Sequence, residues 1–191
     1  MNLPNILAGL RIVLAPVLFF LLTQHFDDMH QTWVNYFAAL TFGIAALTDF
    51  FDGYIARAWG QKTKLGAILD PLADKMLILA AFLGILLSQN WTNSSLYTLQ
   101  AWIIYLILVR EFFITGFRVI MMSENLDVSA SFAGKLKTTF QIIALVFLIM
   151  RWDFGIRLDM ILLFIAFILT LYSGFEYILI YLKQLKKGHK R

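Results

Sequence analysis

Apolar residues run through the chain in six long blocks, and polar residues gather at the block edges. The blocks cover 5–23, 33–58, 66–88, 98–121, 131–150 and 157–182. Each approaches the roughly 20 apolar residues that an α-helix needs to cross a bilayer. The pattern predicts an all-α integral membrane protein of six transmembrane helices, with both chain ends on one side. Met1–Ala8, with Pro4 near its start, is expected to form an N-terminal interfacial segment ahead of the first span proper. Met1–Leu22 has no basic stretch before its apolar run and carries Arg11 inside it, so it reads as an uncleaved helix rather than a secretory signal. The connections are short and free of linker-like or repeated sequence, which predicts a single membrane-embedded domain over 1–191.

Basic residues give the spans a direction. Arg57, Lys62 and Lys64 follow the second block, Lys135 and Lys137 open the fifth, and Lys183, Lys186, Lys187, Lys190 and Arg191 end the chain. In a six-span topology all three groups fall on the side of the N-terminus. The opposite connections hold His25, Asp27, Asp28 and His30, then the uncharged Asn90–Tyr97, then Arg151, Asp153 and Arg157. By the positive-inside rule both termini are expected in the cytoplasm.

Composition narrows the chemistry. With 60% hydrophobic and 15% charged residues the chain is too apolar for a soluble domain. Its net charge of +4 is concentrated at span boundaries and the tail, which suits an anionic lipid surface and not nucleic acid. There is no cysteine, so disulfides and thiolate chemistry are excluded. Carboxylates, bases and hydroxyls remain, and oxygen donors favour hard ions. His25, His30 and His189 fall in an outer connection and the tail, where none is placed to be a ligand.

Four aspartates stand out within 26 positions: Asp49, Asp52, Asp70 and Asp74. Asp49 and Asp52 are three apart and Asp70 and Asp74 four apart, so on helices each pair shares a face. An aspartate at the centre of a membrane helix costs about 2.5–3.5 kcal/mol on insertion scales, and less near the ends. Polar helix ends in headgroup water, paired with Arg57 and Lys75, would account for the charge. They would not account for the shared faces, nor for Gly53, Ala56 and Gly66 beside the acids. At a rise of about 1.5 Å per residue, Asp52 lies roughly 9 Å and Asp49 roughly 13 Å inside the second block's cytoplasmic end, and Asp70 about 6 Å into the third. Lipid phosphates sit near that depth. Carboxylates repel phosphate, but they hold Mg²⁺ or Mn²⁺, which bind it. The small residues would let a base or a diphosphate approach the backbone.

These residues also carry a resemblance. Asp49, Asp52-Gly53, Ala56-Arg57, Gly66, Asp70 and Asp74 fill every fixed position of the signature of the CDP-alcohol phosphotransferase family, at its spacing. The resemblance implies six transmembrane helices, a homodimer and a polar cavity open to the cytoplasm of a bacterial inner membrane. It implies two divalent cations, Mg²⁺ or Mn²⁺, one held by Asp49, Asp52 and Asp70 and the other by Asp49, Asp70 and Asp74, with Asp74 also the general base. The CDP moiety of CDP-diacylglycerol would lie against Asp52, Gly53, Ala56, Arg57 and Gly66.

The acceptor depends on other residues. Arg110-Glu111 and Arg118 interrupt the fourth block, and Lys135 and Lys137 open the fifth. Arg110 and Arg118 are eight apart, about 80° around a helix, so both could face one cavity, whereas Lys135 and Lys137 would lie about 200° apart. Cations in a cavity suit a phosphate-bearing acceptor; pairing of Arg110 with a carboxylate is the alternative. Arg110–Arg118, Gly134–Gln141, Asn2–Asn5 and Arg11 resemble the branch of the family that uses glycerol 3-phosphate, which extends the resemblance over nearly the whole chain. Branches making cardiolipin, phosphatidylserine or phosphatidylinositol phosphate share parts of these motifs. A prenyltransferase would also use aspartates and Mg²⁺, but leaves Gly53, Ala56 and Arg57 unexplained. A divalent-cation transporter would need polar residues continuing through the second span, and Trp33–Leu47 offers only Asn35 and Thr41.

Overall fold

The computed structural model describes residues 3–24, 28–58, 64–88, 97–123, 132–151 and 157–188, with side chains at 6–24, 29–48, 72–73, 75–88, 97–118, 120–121, 132–151 and 157–183. These residues form six α-helices: α1 (Leu3–Thr23), α2 (Asp28–Ala58), α3 (Lys64–Leu87), α4 (Tyr97–Ser123), α5 (Phe132–Met150) and α6 (Leu158–Gly188). Each coincides with one apolar block, α2 starting several residues ahead of its block and α6 ending several beyond. α1 runs unbroken through the stretch expected to lie along the interface. Among the described residues, four helices hold a segment long and apolar enough to cross a membrane: Ile6–Thr23, Tyr97–Arg118, Phe132–Met150 and Leu158–Lys183. The other two helices, α2 and α3, carry the four aspartates. The protein is thus an all-helical integral membrane protein.

The chain divides into two compact units, residues 1–97 with 145–159, and residues 98–144 with 160–191. In the first, α1 packs on both α2 and α3. Its buried positions Ala8, Arg11, Ala15, Leu18 and Leu22 recur at alternating steps of three and four, one stripe of a helix. Small residues are buried on the two partner helices, Ala38, Ala39 and Ala45 on α2 and Ala73, Ala81 and Gly84 on α3. Lipid tails are as apolar as leucine, so membrane helices associate through close van der Waals contact, which small residues permit. At Gly84 a Cβ would stand 2.8 Å from the Cβ of Leu22. Both residues lie near the C-terminal ends of their helices, so α1 and α3 run parallel, with α2 as the connecting helix packed against α1.

The outward stripes are apolar as well. Trp33, Phe37, Leu40, Ile44 and Leu47 follow the same helical spacing on α2 and are all more than half exposed. In water such a surface would be an aggregation liability; against acyl chains it is a solvated one.

Polar contacts close the other ends of this unit. Arg151 adopts φ 52°, a left-handed conformation at the end of α5, and its N–H bonds to Phe147 O at 3.1 Å. Its guanidinium donates to Ser88 Oγ at the end of α3, and burial pushes its pKa down to about 10, which leaves it charged at neutral pH. Tyr97 Oη donates to Leu86 O at 2.9 Å. Arg157 grips Asp159 with two bonds of 3.0 and 3.1 Å at the start of α6.

Candidate functional site

Within the first unit, Asp49 and Asp52 belong to the last three turns of α2, and Asp70 and Asp74 to the first three turns of α3. α3 begins at Lys64, which puts Asp70 about 9 Å and Asp74 about 15 Å along it. α2 and α3 touch, so the two helical pairs of acids belong to neighbouring helices of one packed unit. The side chains of Asp49, Asp52, Gly53, Ala56, Arg57, Gly66, Asp70 and Asp74 lie outside the described ones. Counting back along the parallel pair from Leu22 opposite Gly84 brings the buried Arg11 level with Ala73, one residue before Asp74.

The donor set suits hard divalent cations. It consists of four carboxylates at i,i+3 and i,i+4 spacing on two adjacent helices, with no thiolate in the chain. Such oxygen ligands match Mg²⁺ or Mn²⁺.

The second unit holds a network of polar side chains among apolar ones. Oε1 of Glu111 on α4 receives Lys137 Nζ from α5, Arg110 Nη1 at 3.4 Å and Gln141 Nε2 at 3.3 Å. Arg110 Nη2 donates to Ser173 Oγ on α6 at 2.8 Å, and Gln141 Nε2 also reaches Thr170 Oγ1 at 3.0 Å. Thr170 and Ser173 in turn donate to their own helix, to Ala166 O and Thr170 O. Gly174 lies beside the guanidinium: a Cβ there would come to 2.9 Å from Arg110 Nε. The charged side chains are largely shielded, Lys137 at 9%, Arg110 at 12% and Glu111 at 19% exposure. Where each charge costs kilocalories to bury, mutual neutralisation explains their close approach.

The four expected acceptor residues fall into two environments. Arg110 and Lys137 are drawn into the network around Glu111. Arg118 and Lys135 are exposed. α5 has begun by Phe132, so Lys135 and Lys137 are both helical and diverge as their spacing predicts, one outward and one inward. Arg118 rests over the ring of the buried Tyr177 at 5.6 Å. Tyr177 packs with Ile114 and Met121, and Phe117 meets Tyr181 edge to face at 4.7 Å. Glu111, Gln141, Thr170, Ser173 and Gly174 were not among the expected site residues. An ionisable residue inside an apolar span was the available signal for Glu111; Thr170 and Ser173, at i,i+3 in the apolar α6, give a fainter one.

The chain belongs to the CDP-alcohol phosphatidyltransferase family, whose model matches residues 1–172. It is 38% identical over 180 residues, 93% of each chain, to a protein of Escherichia coli (strain K12) named CDP-diacylglycerol–glycerol-3-phosphate 3-phosphatidyltransferase. A protein of the same name from Shigella flexneri serotype 5b (strain 8401) is 37% identical over 180 residues, again 93% of each chain.

Proposed function

We propose that the protein transfers the phosphatidyl group of CDP-diacylglycerol to glycerol 3-phosphate, giving phosphatidylglycerophosphate and CMP. The observation that carries this reading is the likeness, over 93% of both chains, to relatives named for that reaction. The intact aspartate signature supports the CDP-lipid half of it. The cations of α4 and α5 support a phosphate-bearing acceptor, because arginine and lysine donors match phosphate oxygens.

Asp49, Asp52, Asp70 and Asp74 would hold two divalent cations, Mg²⁺ or Mn²⁺, which would supply positive charge to neutralise the diphosphate and make CMP a better leaving group. Asp52, Gly53, Ala56, Arg57 and Gly66 seat the CDP moiety. Asp74 accepts the proton of the acceptor's primary hydroxyl as that oxygen attacks the lipid-bearing phosphorus. One P–O bond forms to glycerol phosphate, the P–O bond to CMP breaks, and the proton rests on Asp74. Arg110 and Arg118 supply the positive field for the acceptor phosphate together with one of Lys135 and Lys137, which diverge on α5 and cannot both face it.

The finer architecture belongs to the same reading. α2 and α3 complete six crossings, both termini face the cytoplasm of a bacterial inner membrane, and the enzyme is a homodimer. Acceptor-dependent CMP release from CDP-diacylglycerol tests the reading. Release with glycerol 3-phosphate, and none with serine, inositol phosphate or phosphatidylglycerol, is the expected outcome. Release with one of those three instead would move the enzyme to another branch.

A further inference from the structure

α6 carries a carboxyl group that no step of the reaction uses. Glu176 lies inside the membrane-spanning segment Leu158–Lys183, two turns and about 10 Å short of Lys183. It sits at the edge of the buried stripe of α6, half-buried between the buried Ser173 and Tyr177 and the exposed Tyr172 and Leu179. Its Oε2 is buried without a hydrogen-bond partner among the described residues. Glu111 and Asp159 are held differently: Lys137, Arg110 and Gln141 donate to the first, and Arg157 donates twice to the second. A carboxyl left without a donor in an apolar span costs free energy, which a residue kept only for packing would not incur. The neighbours of Glu176 hold the two arginines assigned to the acceptor phosphate. Ser173, one turn earlier and on the same face, receives Arg110 Nη2 at 2.8 Å, and Tyr177, the next residue, lies under the Arg118 guanidinium at 5.6 Å. The unpartnered oxygen acceptor thus belongs to the turn of α6 that anchors both cations.

Cations match phosphate oxygens, and a carboxyl oxygen matches a hydroxyl. Glycerol 3-phosphate offers both groups. Its phosphate takes the cations and its primary hydroxyl yields a proton to Asp74, which leaves the secondary hydroxyl. We propose that Glu176 accepts a hydrogen bond from that secondary hydroxyl and is a specificity-determining residue, selecting a polyol phosphate over an alcohol phosphate that lacks the second hydroxyl. This rests on the glycerol 3-phosphate reading. A pocket built to bond a hydroxyl rejects an analogue without it, because the analogue leaves the buried polar group unpaired.

The test is steady-state kinetics of the purified full chain, with labelled glycerol 3-phosphate as substrate and 3-hydroxypropyl phosphate, which lacks only the secondary hydroxyl, as competitor. In the wild-type enzyme the Ki of the analogue should exceed KM for glycerol 3-phosphate by about tenfold or more, the scale of a hydrogen bond to a carboxylate. Glu176→Leu should raise that KM while changing the Ki by less than about twofold, so that the ratio falls towards one. Glu176→Gln, whose amide oxygen still accepts, should keep part of the ratio. Leucine removes an unpartnered carboxyl and strands no donor, so the thermal midpoint of Glu176→Leu in detergent should stay level or rise. A wild-type ratio near one, or the same ratio in wild type and Glu176→Leu whatever the midpoint, would overturn the proposal. Complete inactivity of the folded leucine variant, or failure of both variants to fold, would overturn it too, by assigning Glu176 to the chemistry or to stability. Failure of the wild-type enzyme to use glycerol 3-phosphate would instead defeat the reading on which it rests.

Discussion

Gly174 of α6 leaves open the space that the Arg110 guanidinium of α4 fills, since a Cβ on Gly174 would lie 2.9 Å from Arg110 Nε and 3.5 Å from Nη2. Arg110 is tied to Ser173 and Glu111 and has little freedom to yield. Gly174→Ala is therefore expected to displace the guanidinium at a cost of about 1–3 kcal/mol, the usual range for overpacking. Its signature is a raised KM for glycerol 3-phosphate with a smaller change for CDP-diacylglycerol. An unaltered acceptor KM would show that Arg110 has no contact with the acceptor.

Gly84 plays a similar part between α1 and α3, but its neighbour is less able to move. A Cβ on Gly84 would meet both Cβ and Cδ1 of Leu22 at 2.8 Å, and a Cβ atom is tied closely to its backbone. Gly84→Ala should lower the thermal midpoint in detergent, through a loss of about 1–3 kcal/mol. Pairing it with Leu22→Ala should recover much of that loss. No recovery in the double variant would mean that the two helices do not meet at these residues.

Asp74→Asn removes the carboxylate assigned as base while keeping its shape. Turnover should fall to background while binding of CDP-diacylglycerol, measured directly on the purified protein, stays detectable. Unchanged turnover would take Asp74 out of the base role.

Arg118 is exposed and lies over the Tyr177 ring at 5.6 Å. Its replacement by alanine should raise the requirement for glycerol 3-phosphate more than that for CDP-diacylglycerol. Tyr177→Phe keeps a ring beneath the guanidinium and should leave the acceptor requirement nearly unchanged, whereas Tyr177→Leu should raise it. Equal effects of Arg118→Ala on both substrates would argue against contact with the acceptor phosphate.

The helices and the aspartate pattern stand out in the sequence for different reasons. Helices show because a bilayer demands unbroken apolar length, and all six blocks became helices. The aspartates show because fixed spacing and insertion cost leave little room for chance. Opposed directions for Lys135 and Lys137 followed from 200° of helix rotation alone. The network around Glu111 was not legible. Its partners are 26 and 30 residues away, and Arg110 meets Ser173 across 63. No periodicity within one helix reports which residues a neighbouring helix brings beside it. The same limit hid Gly84 and Gly174, whose meaning lies in the Leu22 and Arg110 side chains opposite them.

The chemistry itself is read most directly by incubating the purified protein with CDP-diacylglycerol, Mg²⁺ or Mn²⁺ and labelled glycerol 3-phosphate, then following the label. Metal-dependent appearance of labelled phosphatidylglycerophosphate, matched by an equal amount of CMP, is the expected result. No labelled lipid and no CMP with either metal would contradict it.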